Sequence, residues 1–280
     1  MILSGKAMVA GVMGWPVGHS RSPRLHGYWL ESYGIDGTYV PLPVPAGKVE
    51  QALRALPVLG LRGCNLTVPH KEAAAKAVDR LDPAARRIGA VNTVVVHPDG
   101  SLEGRNTDAF GFIENLREGA PRWDATAGPA VVLGAGGAAR AVVAALLDAG
   151  VPEVRLANRT RARAEELAAD FGGPVTVMPW EWRGRALADA GLLVNTTTQG
   201  MAGQPPLEID LATLPPSATV TDIVYTPLVT PLLAAAKRRG NPLVDGIGML
   251  LHQARPAFHA WFGLMPQVTP ELRRFVLEGL

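Results

Sequence analysis

Short apolar runs alternate along the chain with stretches whose apolar positions recur every three or four residues. Runs of the first kind fit strands buried on both faces and stretches of the second kind fit amphipathic helices, so the alternation predicts parallel sheets with crossover helices. MVAGVM (8–13) reads as the first strand, and Ser22-Pro23 supplies an N-cap and a first-turn proline for a helix running to about Tyr33. TYVPLPV, GKVEQALRAL and GCNLTV continue as strand, helix, strand, and another helix starts at about His70. AVNTVVVHPDGSLEGRNTD reads as two extended segments around an Asp99-Gly100 turn.

A helix over 109–118 and the loop APRWDATAGP lead into a second block that begins near residue 111. PAVVLGAGGAARAVVAALLDAG is strand, glycine turn and helix; EVRLANR, TRARAEELAADFG and PVTVMP follow as strand, helix and strand. GLLVNTTT and ATVTDIVY complete that sheet, and DGIGMLLHQARPAFHAWFGL and TPELRRFVLEGL are helical. These last helices bring no strands of their own, so they are expected to pack back on the first block. The predicted fold class is therefore α/β with two domains. Residues 1–110 plus 245–280 form an N-terminal substrate domain, and 111–244 form a Rossmann-type, doubly wound nucleotide domain, with a cleft between them.

Composition narrows the function without naming it. The 280 residues are 48% hydrophobic and 19% charged, the balance of a folded globule, and the net charge of +2 offers no bulk field for nucleic acid or an acidic membrane. A single cysteine, Cys64, excludes an intramolecular disulfide and a multi-cysteine metal site and is compatible with a reducing cytoplasm. The N-terminal segment lacks a signal design, and no run approaches the roughly 18 apolar residues of a membrane helix.

VVLGAGGAAR carries the strongest local chemistry. Gly134, Gly136 and Ala139 fall at the three small positions of the dinucleotide fingerprint, between an apolar strand and an Ala/Val/Leu helix. Gly134, Ala135, Gly136, Gly137 and Ala138 are the expected cofactor turn, with the pyrophosphate on the helix N-terminus. The acid that would hold a ribose 2′-hydroxyl is expected about 20 residues further on. Asn158, 24 residues after Gly134, ends the next strand instead, followed by Arg159, Thr160 and Arg163. A carboxylate there would repel a 2′-phosphate and a guanidinium would pair with it, so the cofactor indicated is NADP. Arg159 is the leading contact, while Arg161 reads more simply as a solvated helix charge.

Polar residues crowd the predicted strand ends of the first block: Ser20 and Ser22 in HSRSP, Asn65, Thr67 and Lys71 in NLTVPHK, Asn92 and Thr93 in AVNT, and Asn106 and Asp108 in GRNTD. Hydroxyls and amides in that position suit a small polyhydroxylated or carboxylated substrate. Singly, each also has a plain structural role as cap, turn or surface residue.

GWPVGHSRSP, NLTVPHK, AVNT, GRNTDAFG, VLGAGGAAR, NRT, NTTTQGM, DIVYTPLVTPLL and DGIGMLLHQA occur in the order seen in shikimate dehydrogenases, and the resemblance covers nearly the whole chain. It implies NADP-dependent, reversible reduction of 3-dehydroshikimate to shikimate in aromatic amino-acid synthesis. It further implies that Lys71 is catalytic with Asp108 as its partner, that Ser20 and Ser22 bind the substrate carboxylate, and that Thr67 and Asn92 hold ring hydroxyls. Gln253 reaches the substrate from the C-terminal helix, Tyr225 lies near substrate and nicotinamide, and Gly246 and Met249 border the cofactor. Trp15 departs from the asparagine, and His70 from the phenylalanine, frequent at those positions; His70 reads as a cap or surface residue. The partner implied is a small molecule, with a monomer or homodimer in the cytoplasm and no nucleic acid or membrane. A quinate/shikimate dehydrogenase using NAD, and a catalytically silent nucleotide-binding regulator, are the alternatives on this scaffold.

Overall fold

The computed structural model describes residues 2–279. The chain forms two compact units, one comprising the residues up to Asp108 together with Gln253–Gly279 and the other Ala109–His252. Residues 245–252, placed with the first block on the sequence pattern, fall in the second unit. The chain passes from one unit to the other at Asp108/Ala109 and at His252/Gln253.

In the first unit the order is β1 (Met8–Gly14), α1 (Ser22–Ser32), β2 (Gly37–Pro43), α2 (Val49–Ala55), β3 (Gly63–Leu66), α3 (Lys71–Ala77), β4 (Arg80–Leu81), α4 (Pro83–Ile88), β5 (Thr93–Val96) and β6 (Leu102–Arg105). The sheet runs β2-β1-β3-β5-β6-β4; β1 is parallel to β2 and β3, while β5 is antiparallel to β3 and β6. The turn at Asp99-Gly100 joins β5 to β6, Gly100 standing at φ +81°. Loops after β1 and β3 leave the sheet where strand order reverses, the place where open α/β sheets receive ligands.

One face of this sheet packs Leu53, Leu56, Ala74, Ala77 and Ala85 against Met13, Cys64, Leu66 and Val94. Cys64 is fully buried there, and burial raises its thiol pKa far above the usual range. His26 and Trp29 of α1 and Tyr39 of β2 form an aromatic cluster with Phe258, Trp261 and Phe262. The Trp261 indole donates to Val94 O at 2.9 Å. Gly63 makes that approach possible: its φ is +149°, and a Cβ there would lie 1.9 Å from Val94 O and 2.4 Å from the Trp261 nitrogen.

The second unit continues with α5 (Asp108–Gly119, its first residue still in the first unit), β7 (Ala130–Leu133), α6 (Gly137–Asp148), β8 (Val154–Ala157), α7 (Arg161–Phe171), β9 (Val175–Met178), β10 (Leu192–Asn195), β11 (Thr219–Asp222), α8 (Pro231–Arg239) and β12 (Leu243–Val244). α9 (Ile247–Phe262) crosses back into the first unit, and α10 (Pro270–Leu277) follows. The sheet order β9-β8-β7-β10-β11-β12, every pair parallel, is the doubly wound order 3-2-1-4-5-6 counted from β7. Both faces are covered: Ala130 and Val132 point into a core with α5, α6 and Val244, and Val131 and Leu133 into one with α8 and Leu187. This explains the unbroken apolar run AVVL.

Two expectations are corrected here. Arg21, not Ser22, is the N-cap of α1, and no side chain caps that helix; Ser22 is the first helical residue. His70 takes the N-cap position of α3, as one of its two readings had it, but it is buried, at 1% exposure, and its side chain caps nothing: its Nε2 donates to Val44 O at 2.8 Å. The sequence pattern also passes over β4, α4, α8 and β12. Among the described residues no helix is long and apolar enough to cross a membrane.

Candidate active site

In the first unit, Lys71 begins α3, and its backbone is fixed by the Val91 N–H, which donates to Lys71 O at 2.9 Å. The Lys71 Nζ donates to Asp108 Oδ2 at 2.5 Å, the lysine side chain being 21% exposed and the aspartate 7%. Asp108 is held on its other sides as well. Asn92 Nδ2 donates to its Oδ1 at 2.7 Å, and its own backbone N–H donates to Asn106 Oδ1 at 3.0 Å. Asn106 is in turn anchored by its amide on Ala90 O, at 2.8 Å. An ammonium carries three N–H donors, so Lys71 keeps donors and a solvent-facing edge beyond the bond to Asp108.

Asn92 gathers the remaining polar groups. Its Nδ2 lies 3.0 Å from Thr107 Oγ1 and 3.1 Å from Gln253 Oε1, and its Oδ1 accepts from the Thr107 N–H at 2.9 Å. Two amide hydrogens therefore face three acceptors. Thr67 sits against Gly14, where a Cβ would lie 2.5 Å from its methyl group. Ser20 and Ser22 follow β1, and the Ser22 N–H donates to Ser20 Oγ at 3.3 Å. Of the residues expected to meet substrate, the structure links Lys71, Asp108, Asn92 and Gln253 in one network. Ser20 and Thr67 lie on the loops after β1 and β3, and Ser22 opens α1.

Some members of this network were not singled out from sequence. Thr107 is one and Tyr39 another; Asn65, a polar strand end in the sequence, donates from its Nδ2 to Asn92 O and to Thr93 Oγ1, both at 3.0 Å. Tyr39 donates to Asn65 Oδ1 at 2.6 Å. A tyrosine inside the strand pattern TYVPLPV was the available signal, since a buried phenol needs a partner.

In the second unit the glycine turn joins β7 to α6. Gly134 has φ +109°, and a Cβ there would lie 2.5 Å from Thr196 Oγ1, so conformation and space both require glycine. Ala139 is fully buried where α6 meets the sheet. Gly136 is the N-cap of α6 with no side-chain cap, and a Cβ there would meet no protein atom within 4 Å. Ala135, Gly137 and Ala138 flank it, partly exposed. A bare helix N-terminus before an open space is a cradle for a phosphate, and the residues fit a dinucleotide. At the end of β8, Asn158 donates to Thr160 O at 2.8 Å. Arg159 and Arg163 are exposed and hold no ion pair among the described residues, whereas Arg161 is paired with Glu165 one turn on at 2.7 Å. The cationic pair left over fits a 2′-phosphate and no strand-end acid opposes it.

Tyr225 lies partly exposed in the loop after β11. Gly246 is buried against that loop, where a Cβ would lie 2.4 Å from Ile223 O, so its lack of a side chain is explained by backbone packing. Met249 packs into the second unit's core. Beneath the Tyr225 loop, Asp222 accepts from Asn195 Nδ2 at 3.0 Å, the Val224 N–H at 3.0 Å and Thr230 Oγ1 at 2.7 Å. Burial pushes its carboxyl up to about 6, against the downward pull of those three donors.

A carboxyl raised in the fold binds its proton more tightly than in the unfolded chain. Its contribution is therefore full below about pH 4 and is lost as pH rises through about 6, a change of roughly 3 kcal/mol. Asp222→Asn should flatten this segment of the stability profile. Denaturant unfolding at steps across that window measures it; parallel profiles for the two proteins would remove the assignment.

Comparison with known proteins accords with this geometry. Residues 12–94 match the family model of the shikimate dehydrogenase substrate binding domain, and residues 122–202 that of shikimate / quinate 5-dehydrogenase. Shikimate dehydrogenase (NADP(+)) of Paramagnetospirillum magneticum is 67% identical over 99% of this chain and 100% of its own length. The crystal structure of shikimate 5-dehydrogenase from Thermus thermophilus, in complex with NADP(H) and shikimate, is 40% identical with a TM-score of 0.87, over 98% of this chain and 100% of that one. Quinate dehydrogenase from Corynebacterium glutamicum, in complex with NAD, is 32% identical with a TM-score of 0.90, over 97% and 99%. By its family-model matches and by its likeness in sequence and fold to these relatives, the chain belongs to the shikimate dehydrogenase family.

Proposed function

We propose that the chain catalyses the reversible, NADPH-dependent reduction of 3-dehydroshikimate to shikimate, a step in aromatic amino-acid biosynthesis. The observation that carries this reading is the Lys71–Asp108 pair locked by Asn92, in a chain whose nucleotide unit ends β8 on Asn-Arg-Thr. Substrate is assigned to the first unit and NADP to the second. Gly134–Ala138 would hold the pyrophosphate, Asn158, Arg159, Thr160 and Arg163 the 2′-phosphate end, and Gly246 and Met249 the border of the nicotinamide. When bound, NADPH supplies the hydride that the ketone carbon accepts.

The protein's own part is position and a proton. Ser20 and Ser22 bind the carboxylate, and Thr67, Asn92 and Gln253 orient the ring hydroxyls, with Tyr225 beside the reacting carbon. Lys71 donates a hydrogen bond to the ketone oxygen, stabilises the negative charge that builds there, and passes a proton to the alkoxide. Its partial exposure lets solvent return that proton. Asp108 fixes the direction of the ammonium. The same reading places the protein in the cytoplasm, where reduced NADP is made, as a monomer or homodimer that needs no nucleic acid or membrane.

The test is turnover with balanced stoichiometry. One shikimate should form per NADPH consumed, and the reaction should run backward from shikimate and NADP. Nucleotide binding without shikimate formation would instead make the chain a silent regulator.

A further inference from the structure

We propose that Tyr39 is a positioning residue for the substrate, setting through Asn65 and Thr93 the direction in which Asn92 offers its amide. The inference rests on the activity proposed above.

Tyr39 stands in β2 opposite Ala10 of β1 and is 5% exposed. Its ring is held by packing: His26 stacks on it at 4.0 Å between centroids with 8° between the planes, and Trp261 lies at 5.9 Å. Among the described groups His26 has no hydrogen-bond partner at either ring nitrogen, and burial lowers its pKa to about 3. The neutral imidazole is thus an aromatic wall behind the phenol and makes no polar demand on it. What remains to be explained is the phenol's hydroxyl.

The hydroxyl heads a chain of hydrogen bonds with one polarity. A backbone carbonyl only accepts, so Asn92 O forces the Asn65 amide to present its NH2 group on that side. Asn65 Oδ1 then faces Tyr39, and the phenol must donate. The Asn65 amide also donates to Thr93 Oγ1, which turns the threonine hydrogen toward Asn92 Oδ1 at 3.0 Å. With its oxygen so engaged, Asn92 points its NH2 group at Asp108, Thr107 and Gln253. Every link is buried; the Tyr39 hydroxyl closes the chain at the Asn65 end, and the Thr107 N–H holds the Asn92 oxygen at the other. Tyr39 donates to Asn65 and Lys71 to Asp108, so the phenol acts through the amides.

Tyr39→Phe keeps the ring stacked on His26 and removes only the donor. Shikimate Kd, read by calorimetry on the full chain, should rise roughly tenfold, the scale of one net hydrogen bond. NADP Kd should stay within about twofold, because the nucleotide is held by the other unit. In an Asn92→Ala background the same substitution should change shikimate Kd less than about twofold, since the chain would no longer end on an amide that holds substrate. A general packing defect would give equal factors in both backgrounds and would weaken NADP as well. Thr93→Val cuts the chain at a second point without disturbing the aromatic cluster and should reproduce the selective loss.

Unchanged shikimate affinity in both Tyr39→Phe and Thr93→Val would overturn the inference, as would equal loss in the two backgrounds. Failure of the unaltered chain to bind shikimate while binding NADP would overturn the activity itself, and this inference with it.

Discussion

Lys71→Met should lower kcat by about a thousandfold or more while shikimate binding weakens less than about tenfold. Proton transfer by a placed acid contributes roughly 10²–10⁴, and a donor aimed at a developing oxyanion about 10²–10³. Lys71 is the one group assigned both tasks. Methionine keeps most of the side chain's length and apolar stem, so the change falls on the ammonium. It also strips Asp108, buried at 7% exposure, of its cationic partner, leaving the bond from Asn92. Some stability will be lost for that reason. NADP affinity and the circular dichroism of the purified variant separate that loss from the loss of chemistry. Near-normal kcat with only a raised KM would show that Lys71 merely binds.

Arg159→Asp should raise the KM for NADP by roughly a hundredfold and that for NAD by less than about threefold. A charge-assisted hydrogen bond to phosphate contributes about 2 kcal/mol, and reversing the charge adds repulsion on top of its removal. Arg159 is exposed and holds no ion pair among the described residues, so its charge is available to a ligand. For the same reason the effect should shrink as salt is raised. Arg161→Asp is the internal comparison: it breaks a surface pair with Glu165 and should leave the cofactor ratio nearly unchanged. Equal loss of NADP and NAD in Arg159→Asp would mean that the stretch is only a charged helix start.

What could be read without coordinates was what local physics decides. The glycine turn was legible because a tight strand-to-helix turn demands φ above zero at Gly134 and a small residue at Ala139. The second sheet was legible because AVVL is apolar on both faces. Two-residue strands such as β12 carry too little pattern to be seen, although Thr230-Pro231 marked the start of α8 as plainly as Thr269-Pro270 marked that of α10. The first helix differs by one residue because Ser22 enters the helix itself, and Arg21 takes the cap position without a capping side chain. Nothing along α9 signals that packing partners change at His252/Gln253, since the helix is continuous there.

Lys71 and Asp108 stood out in the sequence through motifs. Of the residues that aim them, Asn65 and Thr93 stood out only as polar strand ends, and Tyr39 and Thr107 did not stand out. Tyr39, Asn65, Thr93 and Thr107 come from separate strands and a loop, and each alone is an ordinary strand or turn residue. Asn195 and Asp222, 27 residues apart, are likewise partners only because β10 and β11 are neighbours.

The central claim is that the Lys71 site and the Asn-Arg-Thr strand end serve one biosynthetic reduction. Its most direct test is kcat/KM for shikimate and for quinate, each with NADP and with NAD, on the unaltered protein. The account predicts that shikimate with NADP exceeds every other combination by at least about tenfold. Preferred turnover of quinate with NAD would contradict it.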